Sequence, residues 1–193
     1  EFVDDVAFNG STDKGWTGLY NDTSVTAANL AADGTSSSRL WSAKTPTQIL
    51  RDVNNALTAV VSGSKRTEIA DTVLIPLSAY THIATTPVST DNPNYTILEY
   101  LKKSNVYTAM TGGELMIRVG DGLEDKGANS SDGRMVVYRK SKDILKLHLP
   151  VPLKFLPVWR TGPMAYEIPG YFKLGGVEIR RPGSVRYYDG LTA

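Results

Sequence analysis

The chain has 193 residues, 41% hydrophobic and 21% charged, enough for one sizeable core or two small cores packed closely together. Lys and Arg number 21 against 20 acids, a balance far less basic than that of a protein that wraps DNA. Cysteine is absent and His82 and His148 are the only histidines, which excludes a disulfide framework, a thiol nucleophile, a cysteine zinc site and a three-histidine metal site.

No apolar run approaches the ~20 residues of a bilayer span, and the composition reads as that of a soluble protein. Glu1–Asn9 is acidic and mixed, unlike a signal peptide. The first residue is not Met, so the sequence is expected to be processed, trimmed or part of a longer chain.

Glu1–Phe8 reads as the last turns of a helix, with Phe2, Val3, Val6 and Ala7 at helical spacing and Gly10 to end it. A glycine-punctuated loop, GWTGLYND, follows. Thr23–Ser38, rich in Thr, Ser, Ala and Gly, reads as an irregular connection. The clearest helix lies in KTPTQILRDVNNALTAVVSGSK. Thr45 is a fitting N-cap, Pro46 takes the first helical position and Gln48 completes a capping box. Ile49, Val53, Leu57 and Val61 form one stripe flanked by Leu50 and Val60, which leaves Arg51, Asp52 and Asn55 wet. Gly63 is placed to end the helix.

Thr72–Ile75 reads as a short strand covered on both faces. A helix starts near Ser78. Another lies in NYTILEYLKKSN, where Thr96 and Glu99 make a second capping box beside a core face of Ile97, Leu98 and Leu101. GGELMIRVGD reads as a strand, GLEDKGANSSDG as a long polar loop, and RMVVYRKSKDILKLHLPVP as strand, turn, strand. From Pro150 onward, prolines 150, 152, 157, 163, 169 and 182 punctuate short strands of bulky residues, and helical signals vanish. The order is a helix end, a loop, an α/β middle and an all-β ending, an α+β chain. Its first and last parts are each too small to fold alone and are expected to pack on each other as a discontinuous second domain.

Catalytic constellations are missing from this pattern. No G-x-S-x-G elbow surrounds a serine, and His82 and His148 read as structural or surface histidines. Asp121, Glu124, Asp125 and Asp132 share one loop, but Leu123 and Lys126 break the oxygen-ligand order of a calcium loop. VGDGLEDKG does not lead from a strand into a helix, so it is neither a phosphate loop nor a dinucleotide fingerprint. Asn21, Asn94 and Asn129 open N-x-S/T triplets that read as chance matches. A carboxylate pair of the glycoside-hydrolase kind stays open, with no particular pair indicated. A well-capped chain without a catalytic centre points to work done by surfaces.

The ending GGVEIRRPGSVRYYDG has the basic and aromatic composition of a nucleic-acid grip. Val177 and Ile179, however, alternate with Glu178 and Arg180. Pro182 and Gly183 break the strand, and Val185 resumes it with Arg186 opposite. That is a half-buried closing strand whose arginines fall largely on exposed faces.

Four stretches carry a family resemblance: FNGSTDKGWTGLYND, WSAKTPTQILRDVNNAL, TVLIPLSAYTHIATTPVSTDNPNYTILEYLKKSN and RMVVYRKSKDILKLHLPVPLKFLPVWRTGPMAYEIPGYFKLGGVEIRRPGSVRYYDGL. Together they resemble the tailed-bacteriophage major capsid (coat) proteins of the Hong Kong 97-type fold, in the phage and prophage branch. The most specific parts are the aromatic-and-proline run around Phe155–Glu167 and the ending GGVEIRRPGSVRYYDG. The resemblance implies an axial α/β domain at 43–149. It implies a discontinuous peripheral domain, made of the spine-helix end and connecting loop at 1–42 and a β-rich return at 150–193. It also implies that an N-terminal arm, an extended loop and most of the spine helix precede Glu1.

The function so implied is self-assembly, through pentamers and hexamers, into the icosahedral head shell of a virion, built in the host cytoplasm. Portal or scaffold proteins are possible further partners. Packaged DNA is touched only weakly and non-specifically, and no cofactor, membrane or catalysis is involved. Expected contacts at the ring axis are Thr111, Gly112 and Gly113, with Asp121, Glu124 and Asp125 in the Gly120–Gly133 loop. Expected lateral contacts are Trp16, Tyr20, Trp159 and Arg160. Arg180 and Arg181 are expected to meet acids of a neighbouring subunit. An encapsulin-like nanocompartment shell shares the fold and is the nearest alternative. A soluble enzyme with a carboxylate site and a nucleic-acid-binding module are alternatives of other classes.

Overall fold

A computed structural model describes residues 2–89, 92–128 and 132–191. Helix α1, Phe2–Asn9, stops at Gly10, whose φ of +77° suits only glycine and whose close approach to the Trp16 carbonyl leaves no room for a Cβ. Strand β1, Ala27–Asn29, lies in the connection read as irregular; its three exposed residues carry no alternation to read. Helix α2, Pro46–Gly63, begins on the expected capping box. The Gln48 N–H donates to Thr45 Oγ1 at 3.4 Å and the Thr45 N–H to Gln48 Oε1 at 2.8 Å.

Strand β2, Thr72–Ile75, is followed by α3, Leu77–Thr85, by a small hairpin of β3, Pro87–Ser89, and β4, Asn92–Thr96, and by α4, Ile97–Lys103, on the Thr96–Glu99 capping box. Helix α5, Val106–Thr111, is concealed in the sequence by weak helix formers. Its signals are at its ends: Asn105 Oδ1 accepts the Thr108 N–H at 2.7 Å, and Gly112, at φ +71°, closes it. Strands β5, Met116–Val119, and β6, Arg134–Tyr138, flank the long polar loop.

The bulky run after Ser141 forms one long hairpin. Its outgoing arm holds β7, Leu145–Leu147, β8, Val151–Phe155, and β9, Trp159–Arg160. Its return holds β10, Tyr166–Glu167, β11, Gly170–Lys173, and β12, Val177–Ile179. Leu145 pairs with Ile179 at the base, Lys154 with Tyr171 midway and Arg160 with Tyr166 at the tip. The His148 N–H to Gly176 carbonyl bond at 3.0 Å and the Leu156 N–H to Pro169 carbonyl bond at 2.8 Å bridge the gaps. At ~3.3 Å per residue the arm from Leu145 to Arg160 reaches on the order of 50 Å.

Strand β13, Val185–Asp189, then enters a five-stranded sheet of order β1-β13-β6-β2-β5. It runs parallel to β1 and antiparallel to β6; β2 is antiparallel to β6 and parallel to β5. The sheet draws strands from all three parts, 1–42, 43–149 and 150–193. β13, from the third part, is an inner strand beside β1, from the first, while β7, from the second, pairs with β12 outside the sheet. The physical reason is the VRYYD alternation: Val185, Tyr187 and Asp189 are buried, and only an inner position covers them.

The sheet is packed on both faces, as the unbroken apolar β2 predicts. Val73, Ile75, Met135 and Val137 join a core with Ile49, Val53, Ala56, Leu57 and Val60 of α2, Ile83 of α3 and Leu101 of α4. Leu74, Val136, Tyr138, Val185 and Tyr187 face a second core with Leu19, Tyr20, Leu123 and Ile144. Burying each Leu, Ile or Val of α2 contributes about 1.5–3 kcal/mol. The α2 stripe runs 49, 53, 56, 57 and 60, so Val61 is only half-buried. Asp52, expected in water, is 2% exposed. The segment before α2 folds over that side of the helix and brings Lys44 Nζ to 2.5 Å and Trp41 Nε1 to 3.3 Å from Asp52 Oδ2. A buried carboxylate needs such partners.

Candidate subunit interface

The expected contact residues divide by what already holds them. Tyr20 is not at a surface: it is fully buried, stacked on Phe8 with ring centroids 5.0 Å apart. Its aromatic bulk suits a core as well as an interface, and burial drives its hydroxyl well above the usual tyrosine range. Trp16 is 37% exposed and lies over Gly176, tying the loop after α1 to the start of β12.

Thr111, Gly112 and Gly113 end α5, where Thr111 Oγ1 accepts the Gly113 N–H at 3.2 Å. Asp121, Glu124 and Asp125 lie beyond the other end of β5, so the two loops expected together are separated by the length of that strand. Glu124 acts inside the subunit: its Oε1 accepts the Leu77 N–H at 3.1 Å, supplying the cap that Pro76 cannot give α3. Asp121 and Asp125 are exposed.

Arg180 and Arg181 are engaged by acids of their own chain. Arg180 Nε lies 3.4 Å from Glu178 Oε2, which also meets His148 Nε2 at 2.8 Å. The His148 hydrogen bond, with help from Arg180, holds the Glu178 carboxyl below the usual range. Arg181 Nη1 lies 2.6 Å from Glu68, a nearly buried carboxylate that Arg139 also grips. Each arginine thus has an acid of its own chain, which it shares: Glu68 with Arg139 and Glu178 with His148. Strand alternation already puts Glu178 beside Arg180; Glu68 lies far from Arg181 along the chain, and no spacing in the sequence signals that pair.

Trp159 and Arg160 lie near the hairpin tip. Trp159 is 69% exposed. Arg160 donates from Nε to the Gly162 carbonyl at 3.0 Å and from Nη2 to the Pro163 carbonyl at 2.8 Å, clamping the turn. The surroundings of Trp159 are what sequence reading missed. Every residue of β8 to β11 except Val151 is exposed. In β8, Val151, Leu153 and Phe155 occupy one phase and Pro152 and Lys154 the other; the alternation fails in β11, where Tyr171 and Phe172 are adjacent. Aromatic side chains therefore fall on both faces of the ribbon, with Lys154 and Lys173 among them.

Among the described residues no group of three or more His, Asp or Glu side chains is placed to hold a metal. Nor is any helix long and apolar enough to cross a membrane.

The profile of the family described as Major capsid protein matches residues 1–191. The chain is similar to the solved capsid of Myoviridae phage XM1, with a TM-score of 0.73 and 18% identity over 98% of this chain and 60% of that one. It is also similar to the virus-like particle from Pyrococcus furiosus, with a TM-score of 0.50 and 13% identity over 88% of this chain and 58% of that one. At these identities the likeness is one of fold, and the chain spans less than two thirds of either structure. No curated protein matches it.

Proposed function

The chain belongs to the major capsid protein family, and on that premise we propose that it is a shell subunit that assembles with copies of itself into the closed head of a virion. The observation that carries this reading is the hairpin. An isolated two-stranded ribbon is marginal in water. This one exposes ten large apolar side chains between Leu153 and Phe172, from 44% to 93% accessible. At on the order of 100 Å² each, they offer about the ~800 Å² that one side of a standard interface buries. A folded protein rarely leaves so much apolar surface in water. Repeated burial of one patch against a different patch on the next copy is the heterologous contact that closes rings.

Catalysis has no part in this reading. Portal and scaffold proteins, and packaged DNA touched weakly, belong to it as partners. The test is the oligomeric state of the expressed protein by size-exclusion chromatography and negative-stain microscopy. Rings, sheets or uniform shells are expected, and a clean monomer at high concentration contradicts the reading. The double variant W159S/M164S is expected to be folded and monomeric.

The likeness to the Pyrococcus furiosus particle supports a second reading, a compartment that encloses protein cargo. Purified particles carrying nucleic acid favour the head shell; particles carrying a co-purifying enzyme favour the compartment.

A further inference from the structure

We propose that Glu68 is a latch: its two carboxylate oxygens hold the two chain links through which the long hairpin leaves the body, and release of a link lets the hairpin change its angle. Only the consequence for assembly rests on the shell reading.

The hairpin and the five-stranded sheet are not one continuous ladder. The last rung of β6 with β13 joins Tyr138 to Val185, and the first rung of the hairpin joins Leu145 to Ile179. Between these rungs run two links, residues 139–144 outward and 180–184 on the return, and neither is strand. The return link contains a single tight turn at Pro182–Ser184. Among the described residues one backbone hydrogen bond joins the two links, from the Arg180 N–H to the Ile144 carbonyl at 2.8 Å. Short irregular links between regular elements are where a structure hinges.

Glu68 spans this break from the body. It follows α2, where Lys65 and Arg66, at φ +55° and +65°, turn the chain back. Two successive non-glycine residues in the left-handed region are costly, and such backbone persists where its surroundings demand it. The Ser64 hydroxyl accepts the Glu68 N–H at 3.1 Å and donates to the Glu68 carbonyl at 3.0 Å, which fixes the backbone that carries the carboxylate. Glu68 Oε2 accepts from Arg139 Nη1 in the outward link, and Oε1 from Arg181 Nη1 in the return link at 2.6 Å. Beside them Asp71 Oδ1 accepts the Lys140 N–H at 2.8 Å. The Glu68 side chain is 8% exposed, and those of Arg139 and Arg181 are 44% and 56%. Either guanidinium can therefore swing into water while the acid stays with the body. Elsewhere at the hairpin base Gly176 lies against the Trp16 ring, an apolar contact with no preferred direction. Charge-assisted hydrogen bonds do fix a direction, so the Glu68 pairs set the angle. In a shell, copies in pentamers and in hexamers meet their neighbours at different angles, and a latched hinge gives one chain more than one setting.

The absence of cysteine allows site-specific labelling. Spin labels on T58C/K154C, at exposed positions of α2 and β8, report the hairpin angle as a distance by double electron–electron resonance in the unassembled subunit. One narrow distance is expected with Glu68 in place. Glu68→Gln leaves one acceptor oxygen for two guanidinium groups; it is expected to widen the distribution about twofold or more, or to add a second distance, with circular dichroism unchanged. Glu68→Asp, which keeps both oxygens, is expected to restore most of the narrow distribution. If Glu68→Gln does not fold, Arg181→Gln frees the return link alone and carries the same expectation. A merely structural ion pair would lower the melting temperature and leave the distances as they were; that result overturns the latch. In assembled protein Glu68→Gln is expected to give shells of mixed size in negative stain where the wild type gives uniform ones. Uniform shells from a variant with widened distances overturn the link to assembly. A wild-type protein that never assembles overturns the shell reading, and the distances in the subunit still decide the latch.

Discussion

Lys44 and Asp52 form a buried ion pair, with side chains 0% and 2% exposed. Removing Asp52 leaves the buried Lys44 with Asp33 alone, 3.2 Å away and partly exposed. Asp52→Ala is expected to cost about 1–3 kcal/mol in denaturant unfolding, less than an unpaired buried charge costs because Asp33 remains, and K44M/D52A to recover part of that loss. Tyr187 gives a pH signature. Burial pushes its hydroxyl far above the usual tyrosine range, while the bond with the Asp22 backbone and the nearby Arg134 pull the other way. The unfolded chain releases that proton near pH ~10 and the folded chain keeps it. The folded state then binds more protons, so stability is fully present below about pH 10 and falls as pH rises above it. Unfolding midpoints measured across that range check the slope. Tyr187→Phe should lessen that slope, to which the buried Tyr20 and Tyr138 and the partly buried Tyr188 also contribute, while costing about 1–3 kcal/mol at neutral pH, because the Leu19 carbonyl loses the hydroxyl that donates to it at 2.6 Å. Neither residue was legible as a buried polar group. A helical wheel places Asp52 in water because it sees only α2 itself. The chain that covers it comes from another segment.

Among the elements, legibility followed the strength of local signals. Thr45 and Thr96, each with its partner three residues on, locate α2 and α4 because capping is decided within one turn. Thr45→Ala should cost about 1 kcal/mol, read as a shift in the urea midpoint. β1 was illegible because its pairing is with Tyr187, Tyr188 and Asp189, far along the chain. The hairpin was legible as strands but not as an exposed ribbon, since sequence shows which residues are apolar and not what covers them. Its independence from the cores can be measured. Replacing residues 157–168 by a two-residue type I′ turn should leave the melting temperature of the body within a few degrees, on the order of ±0.5 kcal/mol. The same change should abolish assembly. A collapse of thermal stability instead would show that the tip packs on its own subunit.

For the whole molecule, the fold class was readable from the order of elements, and the family from the resemblance of four long stretches. The neighbours of each strand were not, because β13 pairs with β1 and β6 from distant parts of the chain. Hydrogen exchange should show that inequality. In the unassembled subunit, amides of β2, β6 and β13 should be the last to exchange and those of β9 and β10 among the first. On assembly the tip amides should slow and the inner-strand amides should not. A uniform change across the chain would point to a general stiffening rather than a contact at the tip.

The inner position of β13 sets a timetable for synthesis. β1 and β6 share no neighbour until residues 185–189 have emerged from the ribosome. Val185 and Tyr187 are also missing from the second core until then. The long hairpin, by contrast, is translated earlier and needs only local pairing to form. A nascent subunit therefore displays its adhesive ribbon before its body can close. On a polysome, where copies are made side by side, that interval exposes neighbours to premature contact and gives a chaperone its moment to act.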